Sequence, residues 1–343
     1  MWNAPSAWPN RECSAPGYTS QANPICRIRR SRCITRVSRR SAIGRSHAVF
    51  HGRIVAARAG RSAPTHREHG NRLRDDAPGA GGAAGRPERY HASVPQIREL
   101  AIERLDGDTR RADRDRVVVE APLELRARGT PVATIMRTPG HDLELVRGLL
   151  HAESLGPAAL AQVGDDTVEV DIASGAFAGR GVLASAACGV CGRVAIADLE
   201  LRAREVTADT AIAHGVLAGL PEALRAAQSV FADTGGLHAA GLATTAGALV
   251  AAREDVGRHN AVDKLAGWAL GAGLDPAVHV LVLSGRLGYE LVQKAIMLGV
   301  PIVDAVSAPS SLAVELAERF NVALVGFVRG RRANVYAHGW RVW

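Results

Sequence analysis

Lysine is almost missing from this 343-residue chain: of 42 basic residues, only Lys264 and Lys294 are not arginine. So lopsided a ratio reflects coding bias as much as selection for guanidinium chemistry. Cysteine is scarce as well, five in all, and only Cys188 and Cys191 lie outside the basic N-terminal head. A zinc centre would need two more ligands than this pair supplies, and no pair of histidines outside the basic head has ligand spacing. Aromatic residues make up 4% of the chain and no recognised motif accompanies its charge, which speaks against a nucleic-acid reader. No apolar h-region is present, so secretion is not expected. A stretch without a charged residue, 235–252, reaches the 18 residues of a membrane-span candidate. It contains four glycines, and Gly247 divides it into two shorter apolar runs. Two adjacent strands fit it better than one helix, and the protein is expected to be soluble, cytoplasmic and free of membrane partners.

What charge there is falls unevenly. Residues 1–90 hold 17 arginines and 5 acidic residues, a net of +12, and the remainder holds 25 basic and 29 acidic residues, a net of −4. The high pI therefore belongs to the head. That segment has no hydrophobic periodicity, buries too little apolar surface to offset its ordering entropy, and is expected to be disordered. Three readings compete for it: an organelle transit peptide, a basic tail for nucleic acid, and an upstream start codon translating non-functional sequence, which is favoured.

From about residue 112 the pattern turns globular. Segments 114–120, 123–128 and 131–138 predict short strands, 142–155 a helix and 168–172 another strand, giving a small α+β domain over 112–205. From 208 to 343 strands and helices alternate. A helix over 221–232 leads into strands 238–245 and 248–252. Then come helix 261–271, strand 278–283, helix 289–299, strand 302–307, helix 311–320, strand 323–328 and a closing strand near 334–337. This α/β alternation argues a largely parallel sheet with helices on both faces.

The most informative run is Asp255-Val-Gly-Arg-His-Asn-Ala-Val-Asp-Lys264, between a strand and a helix. Ligands gather at such turns, where a helix N-terminus offers unpaired N–H groups to anions. Asn260 is a plausible N-cap with Asp263 reaching back as in a capping box, but a capping box does not explain Arg258 and His259 in the same turn. Cys188 and Cys191 stand in Ala187-Cys-Gly-Val-Cys-Gly192. Glycine is a poor helix former, so a mobile loop carrying two reducible thiols describes this run better than a thioredoxin-like helix start.

Five motifs follow in order: Cys188-Gly-Val-Cys-Gly192, Thr234-Gly-Gly-Leu-His-Ala-Ala240, Arg253 to Lys264, Ser284-Gly285-Arg286 and Gly326-Phe-Val-Arg-Gly330. With these the chain resembles, over about residues 112–341, the FdhD family of formate dehydrogenase accessory sulfurtransferases. The resemblance implies a sulfur carrier between a cysteine desulfurase and the molybdenum cofactor, bis(molybdopterin guanine dinucleotide), before insertion into formate dehydrogenase. It implies a homodimer and a cytidine deaminase-like second domain. It places the persulfide on Cys188 with Cys191 as partner, and cofactor binding on Phe327, Val328, Arg329, Gly330, Arg331 and Arg332. Arg258, His259, Ser284, Gly285 and Arg286 are expected to complete one basic cleft with them, since ligands bind beyond the carboxyl ends of such strands. Ala186 and Ala187 depart from the serines usual in the family. Zinc deaminase chemistry is absent, because His259 is followed by Asn260 and Ala261, not by a glutamate two residues on. A non-catalytic cofactor chaperone is the alternative.

Overall fold

Strict alternation in Ala121–Ala127 buries Leu123, Leu125 and Ala127 completely while the residues between them reach the surface, the signature of a strand with one face on a core. The computed structural model describes residues 95–173 and 202–343. All of these fall within one compact unit, Gly82–Trp343. The head and the Cys188–Cys191 segment lie outside the described residues.

The first part contains β1 (Ile97–Asp106), β2 (Thr109–Val118), β3 (Ala121–Ala127), β4 (Thr130–Arg137), α1 (Asp142–Ala152), β5 (Leu160–Gly164) and β6 (Thr167–Val170). The last four strands make a sheet in the order β4-β3-β6-β5, on which α1 lays Leu145, Val146, Leu149 and Leu150. Ordered structure begins earlier than the sequence suggests. β1 and β2 form a hairpin of ten paired positions that belongs to no larger sheet. Its residues are exposed on both faces, so no alternation marks β1. The edge strand β5 escapes notice for the same reason.

The second part runs α2 (His214–Leu217), α3 (Leu220–Ala227), α4 (Ser229–Thr234), β7 (His238–Thr244), β8 (Leu249–Asp255), α5 (Arg258–Gly271), β9 (His279–Leu283), α6 (Tyr289–Leu298), β10 (Ile302–Ala305), α7 (Ser311–Arg319), β11 (Ala323–Arg329) and β12 (Arg332–Ala337). Its sheet has the order β12-β11-β10-β9-β7-β8. β9 and β10 are buried throughout, as strands covered on both faces must be. Leu281, Leu283 and Val303 pack under α5, α6 and α7, whereas Val280, Val282 and Ile302 pack under α2 and α3.

Two expectations change here. The sheet is mixed, not largely parallel: parallel ladders join only β9, β10 and β11, while β7, β8 and β12 pair antiparallel. A tight β7–β8 hairpin and the β11–β12 hairpin impose this, since neither leaves room for a crossover. The helix expected over 221–232 is two helices broken at Gln228, whose ψ of 82° leaves the helical region.

The two parts meet through α1 and α5. A Cβ at Gly267 would overlap the Glu144 carbonyl, and one at Gly148 would overlap the Asp263 carbonyl. Glycine at both positions lets the helix backbones touch.

Candidate functional site

The turn between β8 and α5 is held by a buried polar knot. Asp255 and Lys264 are both fully buried, with Nζ 2.7 Å from Oδ2. The same carboxylate accepts from the backbone N–H groups of Thr138 (3.1 Å) and Gly257 (2.8 Å) and from Asn260 Nδ2 (2.9 Å). Lys264 Nζ also donates to the Thr138 carbonyl at 2.8 Å, and Asn260 Nδ2 to the Met136 carbonyl at 2.8 Å. Every partner of the carboxylate is thus a donor, as a buried charge requires. The capping-box expectation is corrected by this arrangement: Gly257 is the N-cap of α5, Asn260 faces inward to Asp255, and Asp263 binds Lys294 Nζ at 2.7 Å.

With Asp255, Asn260 and Lys264 turned inward, Arg258 and His259 remain at the surface of the turn. Because β8, β9, β10 and β11 run in one direction, their carboxyl ends share one edge of the sheet. The Asp255–Arg258, Ser284–Arg286 and Arg329–Arg331 segments all lie there, but they are not immediate neighbours. The start of β7 stands between the first two, and the end of β10 between the last two.

That intervening position brings in His238, paired with Asp255 across β7 and β8. Burial holds its imidazole below the ordinary value, and Arg258, His259 and Arg286 push it the same way against Asp255. His238 is therefore a neutral group among cations at neutral pH. Gly285 sits against it: a Cβ there would lie 3.3 Å from Nδ1. Ser284 Oγ accepts from the Ala239 N–H at 2.7 Å, which leaves its proton free to donate. His259 Nε2 lies 3.5 Å from Glu290 Oε2, and this partner holds the Glu290 carboxyl at about 2 against the opposing effect of burial. Arg258 Nε is buried with no hydrogen-bond partner among the described residues.

Beside this rim opens a cavity of about 540 Å³ whose wall includes His238, Ser284, Val306, Val328 and Arg329. Its other side comes from α3 and α4, with Glu222, Leu224, Arg225, Gln228 and Phe231. Glu254 of β8 fixes α4 by accepting from the backbone N–H groups of Val230 (3.1 Å) and Phe231 (2.8 Å). Arg225 stacks over the Phe231 ring, 4.2 Å from its centre.

The hairpin after β11 is strained. Phe327 has φ of 54° within a β-bulge, and Gly330 has the same φ at the tip. An aromatic residue in the left-handed region is an outlier. Here it leaves the ring 42% exposed while Val328 is buried. Arg331 and Arg332 are exposed on this hairpin and form no part of the described cavity wall. Cys188 and Cys191 lie outside the described residues. Sequence reasoning assigned no role to His238, although it stands in the Thr234–Ala240 motif, and it missed the contribution of α3 and α4, whose residues carry no local motif.

Fold and geometry define a mixed α/β protein with a rim of arginine and histidine at the carboxyl edge of its larger sheet. A family model described as FdhD/NarQ matches residues 118–343, and the chain belongs to that family. It is 46% identical over 263 residues to the sulfur carrier protein FdhD of Nocardia farcinica, covering 69% of this chain and 90% of the relative. To the sulfur carrier protein FdhD of Sulfolobus acidocaldarius it is 41% identical over 254 residues, 72% of this chain and 99% of that one. A solved structure of a candidate formate dehydrogenase accessory protein from Desulfotalea psychrophila shares the fold, with a TM-score of 0.61 at 22% identity over 73% of this chain and 100% of its own. Among the described residues, no helix is long and apolar enough to cross a membrane.

Proposed function

We propose that this protein carries sulfane sulfur from a cysteine desulfurase to the molybdenum cofactor, bis(molybdopterin guanine dinucleotide), before that cofactor enters formate dehydrogenase. The observation that carries the cofactor half is the cationic rim, where Arg258, Arg286 and Arg329 share one sheet edge with His238 and Arg258 keeps a buried donor with no hydrogen-bond partner among the described residues. Guanidinium groups fork onto phosphate oxygens, and a diphosphate ligand would satisfy that donor. The exposed Phe327 and Arg329–Arg332 extend the basic surface beside the rim. The sulfur half is supported by the family's sulfur carriers and by Cys188 and Cys191 in sequence. Cys188 thiolate attacks the outer sulfur of a donor persulfide: a Cys188 S–S bond forms, the donor S–S bond breaks, and the donor leaves as thiolate. Attack of Cys191 thiolate on Cys188 Sγ then releases hydrosulfide at the cofactor and leaves a Cys188–Cys191 disulfide, which a thiol reductant reopens.

Mass spectrometry after incubation with desulfurase and cysteine tests the sulfur half. The wild type should gain about 32 Da, roughly one sulfur atom, and Cys188→Ala should gain none at that position while still binding GDP, a fragment of the cofactor. Wild-type protein that acquires no sulfur on either cysteine would leave a chaperone that binds without transferring. Loss of one charge-assisted phosphate contact in Arg329→Ala should weaken GDP roughly 10- to 150-fold. Unchanged affinity in Arg329→Ala, Arg286→Ala and Arg258→Ala alike would remove the rim from the cofactor site.

A further inference from the structure

Asp304, on the interior strand β10, has no exposure to solvent, and neither of its carboxylate oxygens has a hydrogen-bond partner among the described residues. Other buried acids of this domain are not left so: Asp255 is met by Lys264 and three further donors, and Asp263 by Lys294. Alternation along β10 decides the surroundings. Val303 packs under α5, α6 and α7, so Asp304 turns to the other face of the sheet with Ile302. Its partners in register are Val282 of β9 and Val325 of β11, both in the apolar cluster that Leu220 and Leu224 of α3 complete. Helix α3 lies across β9 and β10, which puts the acid between the sheet and that helix. The charged or titratable groups of these elements offer it no counter-charge. Glu222 of α3 brings a like charge, and Arg225 of α3 is stacked over Phe231. His279 of β9 donates from Nδ1 to the Asp275 carbonyl at 2.8 Å, and Arg329 of β11 stands on the cavity wall.

An ionised carboxylate in apolar surroundings is far costlier than the neutral acid, so such a group holds its proton. Burial pushes the Asp304 carboxyl well above the ordinary carboxylate range, and the charge of Glu222 pushes it the same way. When the proton is lost, something must move to admit water. Ladders on both sides hold β10 in place, whereas α3 is only eight residues long and ends at the break at Gln228. We propose that Asp304 is the neutral acid in the folded protein, and that release of its proton to solvent at alkaline pH frees α3 from the sheet. Glu222, Leu224 and Arg225 of α3 line one side of the cavity, so the device is a cavity wall that loosens as pH rises. The sign follows from linkage. The buried carboxyl binds its proton more tightly than an exposed one, so the closed state is favoured most below the ordinary carboxylate value of about 4. Above that value each pH unit favours the opened state about tenfold, until the buried acid itself ionises.

Hydrogen exchange on the full chain tests this, read at Leu220–Ala227 of α3 and at Tyr289–Leu298 of α6 between about pH 6 and 9. The wild type is compared with Asp304→Asn and Asp304→Leu at each pH, which removes the intrinsic dependence of exchange on hydroxide. Relative to either variant, the opening constant of α3 in the wild type should rise with pH, by about tenfold per unit until the buried acid ionises. Over the same range α6, on the opposite face of the sheet, should stay as protected as in the variants. Asp304→Leu leaves no polar group unpaired, so it keeps the comparison usable if the asparagine amide destabilises the fold. A ratio of wild type to variant that stays constant from pH 6 to 9 in both comparisons would show that Asp304 is already a carboxylate, and it overturns the proposal. Equal loss of protection in α3 and α6 overturns it as well, because ionisation would then unfold the whole domain instead of releasing one helix.

Discussion

Lys264, one of two lysines in an arginine-rich chain, is fully buried against Asp255, and neither has an exposed atom to share with solvent. Removing one partner of such a pair strands the other charge, which costs about 3–5 kcal/mol. Lys264→Met should therefore lower unfolding free energy by about that amount in urea titration, and adding Asp255→Asn should recover part of the loss. A single Lys264→Met variant as stable as the wild type would show that the knot does not hold the turn. Legibility at this scale was uneven. The run from Asp255 to Lys264 announced itself by its polarity between two apolar segments. Its local spacing suggested a capping box because Asn260 and Asp263 have the right identities. Which of its polar side chains turn inward depends on Thr138 and Met136, more than a hundred residues earlier, and no local rule sees them.

At the scale of elements, the crossing of α1 and α5 rests on two glycines. Both cost helix propensity relative to alanine, and both are needed because a methyl group would meet the opposing backbone. Gly267→Ala forces the helices apart, and overpacking of this kind costs about 1–3 kcal/mol, only partly offset by about 1 kcal/mol of propensity. A lower thermal midpoint with unchanged helix content is expected; a raised midpoint would mean that the crossing is loose. Helices and strands that bury apolar residues were readable to within a few residues, as for α5, α6 and β9. β1 was not, since a ribbon exposed on both faces carries no hydrophobic period. The break at Gln228 was not readable either, because no glycine or proline marks it.

For the whole molecule, composition already separates the basic head from the acidic body. The described fold begins at residue 95, and the family match begins at residue 118. Deleting residues 1–90 should leave cooperative unfolding and persulfide formation unchanged, as calorimetric unfolding and mass spectrometry of the truncated chain would show. Loss of cooperative unfolding would mean that the head contributes to the core despite its composition. Alternation of strand and helix gave the α/β class, but not the direction of β7 and β12, because hairpin and crossover connections differ in length and not in residue pattern.

The long reach of the polar knot also sets an order in time. Its bonds join Thr138 to Asp255 and Lys264 across 117 and 126 residues, and closure of so long a loop precedes any energetic return. The cavity wall likewise spans Pro221 to Arg329. At a translation rate of roughly 5–20 residues per second, the α3 side waits on the order of ten seconds for Arg329 to be made. A nascent chain therefore has no completed cavity, and the full wall exists only in the finished molecule.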